Sequence, residues 1–170
     1  MTSLTTLGAI HTIISLVAVG AGAVAFARFG KIAPDTRAGR LYLSMTVITC
    51  LTGFGIFEHG GFGKPHALGV LTLLVLGVAF IARRTRLFGQ KAIYVETVSI
   101  TLTFFFHMLP ALTETFTRLP ASAPLFSSPE DPTLTLVSGV FFVVFLAGVA
   151  WQIRQLRRSR LHAGILTSRA

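Results

Sequence analysis

The sequence predicts an all-α, polytopic membrane protein: a five-transmembrane-helix bundle with its N-terminus outside and its C-terminus cytoplasmic. Three observations predict it. Of 170 residues, 52% are hydrophobic and only 12% charged, with a mean hydropathy of +0.73, too few charges for a soluble domain of this size. Five apolar runs, 4–29, 41–57, 67–82, 92–112 and 134–153, each approach the ~20 residues that an α-helix needs to cross ~30 Å of hydrocarbon. Only helices satisfy the backbone polar groups of such segments. The third observation is where the basic residues fall. Arg28, Lys31, Arg37 and Arg40 occupy the first connection, Arg83, Arg84, Arg86 and Lys91 the third, and Arg154, Arg157, Arg158, Arg160 and Arg169 the tail, while the second and fourth connections hold only Lys64 and Arg118. Positive residues are retained in the cytoplasm, so the chain alternates from an outside N-terminus. The net charge of +9 therefore sets topology and builds no phosphate-binding face, which excludes a nucleic-acid partner.

The chain divides into a transmembrane domain, 1–156, and a basic cytoplasmic tail, 157–170. The first run resembles a signal peptide through Ala25-Phe26-Ala27, but it lacks a basic leader and is followed by Arg28 and Lys31, the reverse of a secretory signal. Gly8, Ser15, Ala18, Gly22 and Ala25 form a stripe of small residues that lets a neighbouring helix come close. His11 is expected beside that seam, because an imidazole facing lipid would lack partners. The connection Gly30 to Gly39 contains Pro34 and Asp35 and reads as a turn with a cap. Tyr42 then falls at the depth where interfacial aromatics settle.

In the second run Ser44, Ile48, Thr52, Gly55 and His59 recur at helical spacing, so His59 ends a mildly polar face at the outer boundary. The connection Glu58-His59-Gly60-Gly61-Phe62-Gly63-Lys64-Pro65-His66 carries more chemistry than a hairpin between membrane helices requires. Its glycines allow a tight reversal, and Pro65 suits the first turn of the next helix, which His66 heads. Each of these histidines, taken alone, is also explained as a hydrated interfacial side chain. Arg37-Ala-Gly-Arg40-Leu-Tyr42, Gly61-Phe62-Gly63-Lys64-Pro65-His66-Ala-Leu, Thr72-Leu and Arg83-Arg84 cover about a third of the chain. In these motifs the sequence resembles an uncharacterised family of small bacterial integral membrane proteins, defined only as a domain of unknown function. The family often has a histidine before its arginine-glycine-arginine-tyrosine pattern, where Asp35 and Thr36 stand here. The resemblance implies topology and no activity.

Glu96, Ser99, Thr103, His107 and Glu114 make a polar stripe along the fourth run. Glu96 is expected to snorkel toward Lys91. His107 follows three phenylalanines in hydrocarbon and cannot reach water cheaply. Pro110 frees the Phe106 carbonyl to kink the helix or to supply a polar group. The connection Thr113 to Thr133, rich in proline and serine, reads as a loose linker or a lid over the site. The fifth run has no ionisable residue before Arg154 and places Trp151 at the inner interface. Cys50 lies alone in an apolar run, which removes disulfides and thiolate metal sites.

His11, His59, His66 and His107 thus fall in the outer third of the membrane with Glu58 and Glu114 near the same level; His162 is in the tail. Imidazoles ligate haem, copper, zinc and non-haem iron, and carboxylates complete such sites. The expected function is electron transfer or redox chemistry on haem b or a transition metal, with His11 and His107 as the cofactor-binding pair and His59, His66, Glu58 and Glu114 as further metal ligands. The alternatives are a proton-coupled small-solute carrier or sensor using the stripe on the fourth run, and a non-catalytic membrane subunit. Besides the lipid bilayer, a quinone or redox partner and a second copy of the chain are the partners in view. The expected location is a bacterial inner membrane.

Overall fold

The computed structural model describes residues 5–57, 61–118, 120, 122–126, 128 and 130–167, the last six without their side chains. It is all-helical. Five helices follow in order, α1 (Thr6–Phe29), α2 (Arg37–Gly53), α3 (Lys64–Arg84), α4 (Ala92–Arg118) and α5 (Pro132–Thr167), with a 3₁₀ turn, Gly89–Lys91, before α4. Four of them, α1, α3, α4 and α5, are long and apolar enough to cross a membrane. The exception is α2, whose 17 residues extend about 25 Å at 1.5 Å per residue.

Local chemistry sets most boundaries. Thr5 caps α1 by accepting from the Gly8 amide, and Gly30, at φ +66°, ends it in the left-handed conformation that glycine tolerates. The cap of α2 is Thr36 and not Asp35: its hydroxyl accepts from the Gly39 amide at 3.0 Å and donates to the Ala33 carbonyl at 2.9 Å. A β-carbon at Gly39 would lie 2.0 Å from that carbonyl oxygen, so only glycine fits under the loop. Pro110 sits inside α4, which continues to Arg118. α5 runs unbroken to Thr167, so most of the basic tail continues the fifth helix, which has neither proline nor glycine between Trp151 and Gly164.

The helices form antiparallel pairs, α1 with α2 and α3 with α4, and α4 also packs on α1 and α5. The α1 seam buries Gly8, Ala18, Ala21, Gly22 and Ala25; Ser15, expected on that stripe, is half-buried. Gly22 is where the approach is tightest: a β-carbon there would meet the Phe104 ring at 2.6 Å. The connections gather at one end of the bundle. Arg83 bonds Asp35 across the first and third connections, Arg160 donates to the Gln90 carbonyl at 2.6 Å, and Gln152 donates to the Gly30 carbonyl at 3.0 Å. We call this the basic end.

Two expectations are corrected here. Tyr42 is fully buried and not interfacial, because it points from the second turn of α2 toward α4. Glu96 does not reach for Lys91. It is buried and pairs with Arg83 at 3.0 Å, since α3 and α4 pack side by side and Arg83 is the cation facing it.

Candidate functional site

A seam of polar side chains fills the space between α2 and α4. Among the described residues no Cα of α2 comes within 8 Å of one in α4, so long side chains bridge the gap. The Tyr42 hydroxyl meets Thr103 Oγ1 at 2.8 Å, and His107 Nε2 meets Thr46 Oγ1 at 3.1 Å. The spacing explains the match. Tyr42 and Thr46 are one helical turn apart on α2, Thr103 and His107 are one turn apart on α4, and the two helices run the same way. Tyr42 also reaches Thr46, and its ring meets the His107 ring edge-on at 6.0 Å. Tyr42, Thr46 and Thr103 are fully buried and His107 is 8% exposed, so every polar atom of the chain needs a partner.

Thr103 donates to the Ile100 carbonyl, leaving its oxygen to accept from Tyr42. His107 is held to Thr46 through Nε2, a bond that either neutral tautomer of the ring makes.

His11 reaches α2 from the other side. Its Nδ1 meets Thr52 Oγ1 at 3.0 Å, and Thr52 spends its hydrogen on the Ile48 and Thr49 carbonyls. His11 also bonds the Thr49 backbone, so α2 holds the ring through Thr49 and Thr52. Gly53 makes room, because a β-carbon there would lie 3.1 Å from the imidazole. Thr46 and Thr52, the anchors of the two imidazoles, are six residues apart on α2, about 9 Å along its axis.

The other expected ligands stand apart from this pair. His66 is buried between Phe57 and Phe62, with ring centroids at 5.0 and 5.3 Å, and its Nδ1 accepts from the Gly63 amide at 3.2 Å as the cap of α3. That bond puts its hydrogen on Nε2, which has no hydrogen-bond partner among the described residues. A nitrogen carrying hydrogen does not ligate a metal, so His66 would have to give up its cap to do so. Glu114 is exposed and pairs with Arg118 at 2.5 Å, two turns beyond His107 on α4. Glu58 and His59 lie outside the described residues, as does the side chain of His162. Among the described residues no three His, Cys, Asp or Glu side chains gather so as to hold a metal ion. His11 and His107 are two imidazoles, one short of the three protein ligands of a usual zinc centre. The groove between α1 and α5 is lined by no histidine.

Toward the basic end the polar line continues as an ion-pair cluster. Arg83 joins buried Glu96 to exposed Asp35, and its hydrogen bond and positive charge hold the Asp35 carboxyl below the ordinary value of 3.8. Glu96 and Thr103 are separated by about 10 Å of helix, with Ser99 halfway between on the same stripe. Thr101 donates to Gln152 at 2.9 Å and ties α4 to α5.

Sequence reasoning missed Tyr42, Thr46 and Thr52 as partners of the histidines. The signal was available for all three: Thr52 lay on the polar face of α2, and Tyr42 to Thr46 repeats the one-turn spacing of Thr103 to His107. Comparison of the chain with protein-family models, with curated proteins and with solved structures finds no match in any of the three. The family resemblance therefore rests on the quoted motifs alone.

Proposed function

We propose that the protein is a multi-pass membrane carrier or sensor that works by reversible proton binding at His11 and His107. The observation that carries this reading is a pair of imidazoles inside the bundle, each hydrogen-bonded through one ring nitrogen to an α2 threonine. An intramembrane ionisable group is costly to keep, and a functional role is its default explanation. A protonated His107 donates from both ring nitrogens, so its Nε2 bond to Thr46 Oγ1 survives protonation. The hydroxyl chain through Tyr42 to Thr103, Ser99 and the Arg83–Glu96 pair supplies a polar path toward the basic end. In the membrane α2 completes a fifth span with the four longer helices. The basic end faces the cytoplasm of a bacterial inner membrane, and the imidazoles lie nearer the outside.

The test is proton flux into liposomes loaded with a pH-sensitive dye and driven by a potassium diffusion potential. His11→Asn and His107→Gln keep a donor for the threonines while removing the titratable imidazole. Both are expected to lose most of the flux of the parent protein at unchanged thermal stability. Undiminished flux in both variants, or no flux above empty liposomes in the parent, overturns the proposal.

The same pair of imidazoles supports a second reading, redox chemistry with His11 and His107 as ligands of haem b or of a transition metal. It predicts a Soret band or stoichiometric metal in the purified protein, lost in His11→Ala and His107→Ala. A colourless preparation without metal by elemental analysis removes it.

A further inference from the structure

Two cavities lie side by side on the α1–α5 side of the bundle, and neither belongs to the imidazole site. The larger, about 340 Å³, is an apolar groove between α1 and α5 floored by α4, with Phe26, Phe104, Phe145 and Gly148 among its walls. The smaller, about 290 Å³, is more polar and lies beside it, lined by Lys31, Gln155 and Ser159. Gly30, Trp151 and Gln152 border both. The Trp151 ring lies on Gly30, where a β-carbon would meet it at 2.6 Å, so the indole marks the junction.

We propose that this double cavity binds one anionic phospholipid, with its phosphate at Lys31, Gln155 and Ser159 and one acyl chain in the phenylalanine groove. The dimensions fit. On α5 the groove extends from Phe141 to Trp151, ten residues or about 15 Å, which is one leaflet of a ~30 Å hydrocarbon core. The polarity changes where a headgroup begins. Trp151 stands at the boundary that amphipathic aromatics prefer, and Lys31 follows directly on the end of α1. Lys31 is the charged residue of the lining, and its cation selects an anionic headgroup. The same charge argues against a second copy of the chain, which would bring its own Arg154, Arg157, Arg158 and Arg160 toward this basic surface. Gly148 keeps the groove open, for nothing lies within 4 Å of the place its β-carbon would take.

Trp151 is the only tryptophan and serves as the probe. Full-length protein is reconstituted in phosphatidylcholine vesicles containing brominated phosphatidylglycerol or, separately, brominated phosphatidylcholine, and quenching is followed against mole fraction. The brominated anionic lipid is expected to saturate its quenching at about fivefold lower mole fraction, the factor given by ~1 kcal/mol per basic residue near a membrane surface. Lys31→Gln should remove that preference, whereas Lys91→Gln, basic and at the same end but outside the cavity, should retain it. Gly148→Leu should reduce quenching by both lipids by filling the groove. The Lys31 and Lys91 variants decide the matter even if Gly148→Leu fails to fold. Equal quenching by the two lipids, or equal effects of the two lysine substitutions, overturns the proposal. So does an indole shielded from both lipids in a protein of doubled mass, which would assign the groove to a second copy.

Discussion

Helices α4 and α5 both read as apolar spans, yet they belong to different environments. Within the most apolar window of each, 39% of α4 is buried inside the bundle against 6% of α5. The polar residues divide the same way. Glu96, Thr97, Thr101, Thr103 and His107 are all buried on α4, whereas the buried residues of α5 are Leu134 and Gln152 among those described. In hydrocarbon an apolar side chain gains little by turning inward, because lipid is as apolar as its neighbours. Polar groups gain much. The polar stripe therefore decides which helix takes the centre, and α5, without one, is held mainly by Thr101–Gln152 and by phenylalanine contacts such as Phe105–Phe145.

The strongest way to break this contrast is to strand a charge on the central helix. Replacing Arg83 with leucine leaves Glu96 buried without its cation, and loss of one member of a buried pair costs about 3–5 kcal/mol. Arg83 is itself 35% exposed at its side chain, so we expect the lower end of that range. Thermal or denaturant unfolding in detergent measures it. The double variant Arg83→Leu/Glu96→Leu should recover most of the loss. A double variant as unstable as the single one would mean that the pair acts through packing and not through charge.

Glycine gives the next largest contrast. Gly22→Ala puts a methyl group 2.6 Å from Phe104 and should destabilise the α1–α4 contact by about 1–3 kcal/mol, as overpacking does. Gly148→Ala on α5 meets open space and should stay within about 0.5 kcal/mol of the parent, as substitutions away from packed sites do. Equal losses at the two sites would place α5 against a surface that the isolated chain lacks.

The hydroxyl seam comes third. Tyr42→Phe removes the link between Thr46 and Thr103 and should cost about 1 kcal/mol, the net worth of a hydrogen bond. It should also cut proton flux, which a purely structural hydroxyl would leave unchanged. Thr52→Val, which acts on His11, tests the other imidazole in the same assay.

What could be read in the sequence follows from this division. Periodicity along α4 named Thr103, His107 and Glu96 because a polar residue in an apolar run has nowhere else to go than inward. The ends of α1 and α3 were legible for the same reason, from bursts of arginine and lysine. Partners were less so. Glu96 was assigned to nearby Lys91 and belongs to Arg83, and Tyr42 was assigned to the interface and belongs to the core. In each case the deciding fact is which helix packs beside which, and no local spacing carries it. His66 shows the same limit from the other side: the residues that look like a ligand set also make a helix cap between two aromatic rings.

The smallest expected effect compares the two carboxylates that share Arg83. Glu96 is buried, whereas the Asp35 side chain is 78% exposed, so water screens its ion pair and weakens it. Arg83 still depresses the Asp35 carboxyl, first by its hydrogen bond and then by its charge. A carboxyl depressed in the folded state stabilises the fold above its unfolded value and ceases to as the pH falls through the folded one. Asp35→Asn should therefore lower the thermal midpoint slightly at pH 7, and the difference from the parent should shrink below about pH 3.8, the ordinary value of the group. Added salt should shrink it in the same direction. A difference that stays constant from pH 7 to pH 3 would assign the Asp35 contribution to the geometry of the turn before Thr36, leaving Glu96 as the sole electrostatic partner of Arg83.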